Sequence, residues 1–253
     1  MEKTLITAHS GCENTKIDSM DSIDLALEIG ADAAEIDVRV DKTGELRISH
    51  DEVSAEEYQK KLTLRQVFEH VRGTDLMINC DLKEQAALYK TLEEAEKLRF
   101  PSDRLILSGC TSPEQLARDI RLFDRGYFYL NFEEVVKFVV LRKNADFTIE
   151  QFIQLMDDPW TFLRKEGMKT IGTYMNDTVG CYKLLKASAV NMPKSLLGSV
   201  VAQSFQKASL PLSIWTVNEP ELMQECFAEK VLNVTTRQIR QAVQMRDDYY
   251  KGV

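Results

Sequence analysis

Residues 33–40 read AAEIDVRV, and the alternation within them decides the fold. Glu35, Asp37 and Arg39 occupy every second position, so on a strand they share one face. Three charged groups on one face of a buried strand are costly without partners. A divalent cation is the natural partner for two adjacent carboxylates. The bland alternative is an exposed edge-strand face. Ala33, Ala34, Ile36, Val38 and Val40 around them read as buried, which weighs against it.

Runs of similar extended character recur on both sides. They are TLITAHS (4–10), LRISHD (46–51), DLMINCDLK (75–83), RLILSG (104–109), YFYLNF (127–132), SAVNM (188–192), PLSIWTVN (211–218) and VLNVTT (231–236). Amphipathic helical patterns separate most of them: SMDSIDLALEIG (19–30), TLRQVFEHV (63–71), EQAALYKTLEEAEKL (84–98), SPEQLARDIRLF (112–123), SLLGSVVAQSFQKA (195–208) and PELMQECFAEK (220–230). Strands alternating with helices mean repeated βα units and a parallel sheet. Gly30 sits where a helix ends, and Thr111-Ser112-Pro113-Glu114 opens one with a cap and an early proline.

Eight parallel strands in one domain of 253 residues predict an α/β fold of the TIM-type (β/α)8 kind, spanning 1–253. LRISHD is then an extra ninth strand after the second. A doubly wound open sheet is the alternative, but no Gly-rich phosphate fingerprint follows the first strand. Residues 133–180 look helical with an insertion, and their strand boundaries are not legible.

Composition narrows the function. A net charge of −8 argues against a nucleic-acid partner, because phosphate backbones need a basic surface. An acidic protein still binds an anionic substrate when a metal sits in the site. No run of 18 apolar residues predicts a membrane span, and MEKTLITAHSG lacks a secretory apolar core. Five cysteines without pairwise spacing fit a reducing, cytoplasmic setting. Cys12 reads as a small buried residue, with a Cys-His nucleophile as the minor alternative.

In MINCDLK, Asn79, Asp81 and Lys83 alternate as the AAEIDVRV charges do. On the next barrel strand, Asp81 is a candidate third metal ligand and Lys83 a candidate phosphate-binding cation. Of three histidines, His9 and His50 end strands, while His70 lies in a helical stretch and reads as a surface residue. Two histidines around carboxylates have the makings of a general acid and a general base beside a metal. Trp215 and Asn218, in IWTVNEP, read either as core or as a wall of the substrate pocket.

The ordered set HSG (9–11), GAD (30–32), EIDV (35–38), HD (50–51), DLK (81–83) and WTVN (215–218) resembles the signature of the glycerophosphodiester phosphodiesterase family. The resemblance implies a TIM barrel of the phospholipase-C-like phosphodiesterase type. It also implies a divalent cation, Mg2+ or Ca2+, and hydrolysis of a small-molecule glycerophosphodiester to glycerol 3-phosphate and an alcohol. By resemblance His9 and His50 take the acid/base roles, Glu35, Asp37 and Asp81 hold the metal, and Lys83 lies near the phosphate.

The departures are specific. Ser10 replaces the arginine that follows the family's first histidine, Asp81 is a methylene shorter than the usual glutamate, and the last strand runs on as NVTTRQ. ENT at 13–15 copies a family triplet out of place. Counting back eleven residues from Gly30 puts that triplet's slots on Ile17-Asp18-Ser19. The family arginine and glutamate are thus both missing, as when both members of an ion pair are lost together. Three carboxylates against one divalent cation and Lys83 leave a near-neutral pocket, and Arg39 is a candidate for the missing positive charge. Two other functions compete: a catalytically silent barrel that binds a phosphodiester or polyol, and a Schiff-base aldolase built on Lys83.

Overall fold

The computed structural model describes residues 3–143, 148, 150 and 168–252. Its nine strands are β1 (Leu5–Ala8), β2 (Ala33–Val40), β3 (Leu46–Ile48), β4 (Met77–Leu82), β5 (Leu105–Gly109), β6 (Tyr127–Asn131), β7 (Ala189–Pro193), β8 (Leu212–Trp215) and β9 (Asn233–Thr236). All of them fall on the expected runs. β1 pairs in parallel with both β2 and β9, which closes eight parallel strands into a barrel and removes the open-sheet alternative. β3 pairs antiparallel with β2, Val38 opposite Ile48, as the expected excursion.

The helices are α1 (Met20–Ile29), α2 (Ala55–Tyr58), α3 (Leu64–His70), α4 (Ala87–Lys97), α5 (Pro113–Arg118), α6 (Phe132–Lys143), α7 (Met168–Leu184), α8 (Val200–Lys207), α9 (Pro220–Ala228) and α10 (Ile239–Lys251). Local chemistry sets many of their ends. Thr63 and Gln66 form a reciprocal capping box, as do Ser54 and Glu57. Gly30 adopts the left-handed conformation, φ 80°, and its N–H returns to Ala26 O at 3.1 Å. The stretch 112–123 is not one helix. Asp119 leaves it in an extended conformation, accepts from the Arg121 N–H at 3.2 Å, and restarts the chain as a 3-10 turn. The hardest region to read contains α6 and α7, and its middle lies outside the described residues. All eight barrel strands lie within them.

Parallel pairing sorts the side chains into two sets. Outward-facing Ile6, Ile36, Val38, Ile78, Leu82, Leu107, Phe128, Leu130, Val190, Ile214 and Val234 join the helices in one large apolar cluster. Inside the barrel, Ala33, Ile106, Tyr129 and Ala189, with Met77 and Leu232, form a small plug. Above that plug the inward positions are polar. The C-terminal helix is anchored by the buried Arg246, which pairs with Asp32 of the GAD triplet. Asp32 also accepts from the Ile6 N–H at 2.7 Å, so one carboxylate joins α10, the β2 entry and β1.

Asp41 organises the β2–β3 turn. Its Oδ1 accepts from Thr43 N at 2.8 Å, Thr43 Oγ1 at 2.5 Å and Glu45 N at 3.0 Å, and its Oδ2 from Arg47 Nε at 3.1 Å. Burial alone would raise this carboxyl, but those donors outweigh it and hold it at about 2. A depressed folded-state pKa stabilises above the unfolded value and is lost as pH falls through the folded one. Asp41→Asn is therefore expected to cost roughly 1–2 kcal/mol at neutral pH. It should also flatten the pH dependence of stability between about pH 4 and pH 2, checked by urea unfolding across that range.

Candidate active site

The barrel mouth holds a cavity of about 380 Å³. Its location follows from register. Glu35 pairs with Asn79 and Asp37 with Asp81 across β2 and β4, so the inward residues of both strands stack at matching heights. Oxygens of Glu35, Asp37 and Asp81 lie within 4.8 Å of one another. Glu35 and Asp37 are buried. Lys83 lies between carboxylates, its Nζ 2.6 Å from Asp37 Oδ1 and 2.5 Å from Asp81 Oδ2.

Charge and burial compete here. Burial, reinforced by Asp37 and Asp81, pushes the Glu35 carboxyl well above the ordinary range. Burial opposes the Lys83 charge too, but Asp81 and Asp37 outweigh it and raise the ammonium above its usual value. One ammonium thus serves three clustered carboxylates. An all-oxygen donor set, with one member driven toward protonation by its neighbours, fits a hard divalent cation.

His9, at the end of β1, lines the cavity with Nδ1 3.7 Å from Glu35 Oε2. Its Nδ1 is 2.9 Å from Ser10 O, a contact that requires a proton on Nδ1 and leaves the lone pair on Nε2. Arg237 Nε, at 3.4 Å from the same nitrogen, is then a charged neighbour rather than a donor to it. Burial lowers the His9 pKa and Arg237 adds to the effect, against the Ser10 carbonyl, which raises it. The neutral imidazole is favoured.

His50 also lines the cavity and is exposed, with Nδ1 2.9 Å from Asp51 Oδ1. Its backbone is pinned from two sides. Asp18 Oδ2 accepts its N–H at 3.2 Å, and Arg39 Nε donates to its carbonyl at 3.0 Å. Asp18 is paired in turn with Lys61 at 3.1 Å. Arg39 is thus committed to the His50 loop and is not among the residues that line the cavity.

Trp215 lines the cavity, whereas Asn218 does not. Asn218 Oδ1 accepts from Arg237 N at 2.9 Å and Thr236 Oγ1 at 3.2 Å, tying the loop after β8 to the end of β9. ENT stays outside as well. Glu13 Oε1 accepts from Arg240 N at 3.1 Å at the start of α10. Ser10 is buried, and its hydroxyl accepts from Asp18 N at 3.0 Å. This bond brings positions 10 and 18 together. Cys12 is fully buried, and burial raises its thiol, so it is a packing residue rather than a nucleophile.

Beyond Asn79, whose inward phase the alternation in MINCDLK gives, several wall residues escape sequence reading. Asn79, Ser108, Asn131 and Asn191 are inward-facing polar groups on four successive strands. Asn131 and Asn191 belong to a belt of hydrogen bonds along the inner wall. Thr7 Oγ1 donates to Asn233 at 2.7 Å, Asn233 to Ser213 at 3.0 Å, Ser213 to Asn191 at 2.9 Å, and Asn191 to Asn131 at 2.7 Å. Asn131 donates to Glu133 Oε1 at 3.0 Å, which ends the series on a carboxylate. On the adjoining strands β5 and β4, Ser108 Oγ reaches Asn79 Oδ1 at 2.9 Å and Asp81 Oδ1 at 3.2 Å. Gly109, φ 76°, lets β5 approach β4, since a Cβ there would lie 2.6 Å from Asp81 Oδ1. The available signal was parity: each residue has the inward phase of its strand.

Comparison with known proteins agrees with this fold. No family model matches the chain. A glycerophosphodiester phosphodiesterase of Caldanaerobacter subterraneus subsp. tengcongensis is 29% identical over a 122-residue alignment that covers 36% of this chain and 50% of that protein. The chain therefore matches about half the length of this curated relative. Among solved structures, the glycerophosphodiester phosphodiesterase of Thermotoga maritima superposes with a TM-score of 0.64 at 20% identity, covering 97% of this chain and 99% of the other. That of Parabacteroides distasonis gives 0.68 at 14% identity, covering 98% and 100%. An Oleispira antarctica phosphodiesterase, solved with its product sn-glycerol-3-phosphate, gives 0.64 at 14% identity, covering 97% of each chain. The chain thus shares its barrel fold with these solved structures and part of its sequence with one glycerophosphodiester phosphodiesterase.

Proposed function

We propose that this chain, as a single barrel domain, is a phosphoric diester hydrolase that cleaves a glycerophosphodiester to glycerol 3-phosphate and an alcohol. The observation that carries the reading is the cluster of Glu35, Asp37 and Asp81, within 4.8 Å of one another, in a cavity that His9 and His50 also line. Those three carboxylates are the residues that would hold one divalent cation, Mg2+ or Ca2+. When bound, such a cation polarises a phosphoryl oxygen and lowers the pKa of an attacking hydroxyl or water.

The protein's own groups supply the rest. Lys83 presents a permanent positive charge to the anionic diester. His9, kept neutral with Nδ1–H on Ser10 O, offers Nε2 as the base that accepts the nucleophile's proton. His50, held to Asp51, stands as the acid that delivers a proton to the leaving alkoxide. Arg39 fixes the His50 backbone and so acts through that residue. Lys83 is a poor Schiff-base nucleophile, because the reaction needs a free amine and two carboxylates hold this one charged. That removes the main support for an aldolase.

The test is turnover of a glycerophosphodiester panel in Mg2+, Ca2+ or EDTA. Hydrolysis is expected with metal and none with EDTA, and His9→Ala should lower kcat by about 10²–10⁴. Absence of turnover for every diester, with the cation bound, would favour the silent binding barrel. Arg39→Ala should lower kcat by roughly tenfold and leave KM near its original value, since the variant loosens a catalytic group rather than a substrate contact. A raised KM with kcat intact would put Arg39 on the substrate instead.

A further inference from the structure

We infer that Glu133 and Trp215 form a hydroxyl-binding subsite for an alcohol arm of the phosphodiester, an inference that rests on the hydrolase reading above. Glu133 follows the end of β6 and opens α6, lining the same cavity as the carboxylate cluster. Its residue is only 8% exposed. Oε1 is occupied by the Asn131 amide at 3.0 Å. Oε2 is buried and has no hydrogen-bond partner among the described residues. A buried acceptor left in this state is costly, so the atom has a strong demand for a donor.

Trp215 supplies the complement. Its Nε1 donor is likewise buried without a partner among the described residues, and it lines the same cavity from the end of β8. A hydroxyl both donates and accepts, so hydroxyl groups satisfy a carboxylate oxygen and an indole N–H together. A quaternary ammonium has no N–H to give and nothing to accept with. Between the two lies β7, whose Asn191 amide donates to Asn131 and accepts from Ser213.

The other groups nearby are committed. Glu134 is paired with Lys137 at 2.7 Å. The Asn131 carbonyl takes Asn191 at 2.7 Å and Gly109 N at 3.4 Å, which fixes the amide so that its NH2 faces Glu133. The belt therefore orients the carboxylate and leaves Oε2 as the free end. Burial pushes this carboxyl up to about 7, against the lowering effect of its own backbone N–H and the Asn131 amide. β6 is two strands from β4, about 10 Å at the usual strand spacing, a distance that an arm of a few carbons crosses from a phosphate near Asp81.

Two arms of a glycerophosphodiester carry this chemistry: the glycerol and a polyol leaving group. Binding to glycerophosphoinositol, glycerophosphocholine and bis(p-nitrophenyl) phosphate is measured by calorimetry with Ca2+ in a His9→Ala background, which suppresses turnover. Glu133→Leu is expected to weaken glycerophosphoinositol at least tenfold, and Glu133→Gln to restore part of that loss. Trp215→Phe, which keeps the apolar wall but removes the N–H, should weaken it several-fold. The hydroxyl-free diester should bind all variants alike. Loss for glycerophosphoinositol alone assigns the subsite to the leaving alcohol, and equal loss for both glycerol diesters assigns it to glycerol. Unchanged affinity for every ligand, equal loss that includes the hydroxyl-free diester, or a larger loss for the choline diester overturns the subsite. Failure of the original protein to bind or turn over any diester overturns the hydrolase reading and the subsite with it.

Discussion

The register between β2 and β4 is the constraint on which the site depends. Pairing Asp37 with Asp81 places two carboxylates at one height on neighbouring strands, with Glu35 one pleat below. A one-residue slip of β2 would turn Glu35 and Asp37 toward the helices and bring Ile36 inside, and the same slip of β4 would turn Asp81 outward and bring Cys80 inside. The outward apolar set opposes that slip, because Ile36, Val38, Ile78 and Leu82 are buried under the helices. Hydrophobic burial on the outer face therefore holds charges in place on the inner one.

Electrostatics explains much of the remaining architecture. Three carboxylates and one ammonium leave the mouth short of positive charge, and the polar belt beneath supplies dipoles rather than ions. Its members donate in one direction from Thr7 to Glu133, and bonds aligned in this way strengthen one another. The belt also solves a packing problem. Apart from the half-buried Asn131, its amides and hydroxyls are buried, so each requires a partner, and neighbouring strands supply them. The floor below is apolar and small, and the mouth above is open to substrate.

Strand alternation was legible because each βα unit carries its own period. All nine strands lie on runs recognisable as extended, and the sharp turns carry their chemistry in Gly30 and Asp41. The α5 break was not legible, since SPEQLARDIRLF keeps a helical pattern through Asp119, and only the local hydrogen bond to Arg121 ends it. The C-terminal helix passed unnoticed in the chain for another reason. Its clearest anchor, buried Arg246, reads as a surface charge until Asp32 is known to face it. Arg39 read as a pocket residue from strand parity, but its side chain turns to the His50 carbonyl, a loop contact that parity cannot foresee.

The sequence by itself determined the strand count, the inward phase of Glu35, Asp37, Asp81 and Lys83, and the displacement of ENT from its family position. These are local properties of spacing and period. Only the tertiary structure decided which inward polar residues meet. Asn131, Asn191, Ser213 and Asn233 come from distant segments; strand parity turns them inward, but nothing in their immediate neighbours says which of them meet. Closure of the barrel brings them into one hydrogen-bonded series and leaves Glu133 Oε2 and Trp215 Nε1 without partners among the described residues. Whether a buried polar atom is satisfied depends on atoms far away in the chain, so that property emerges only when the strands close.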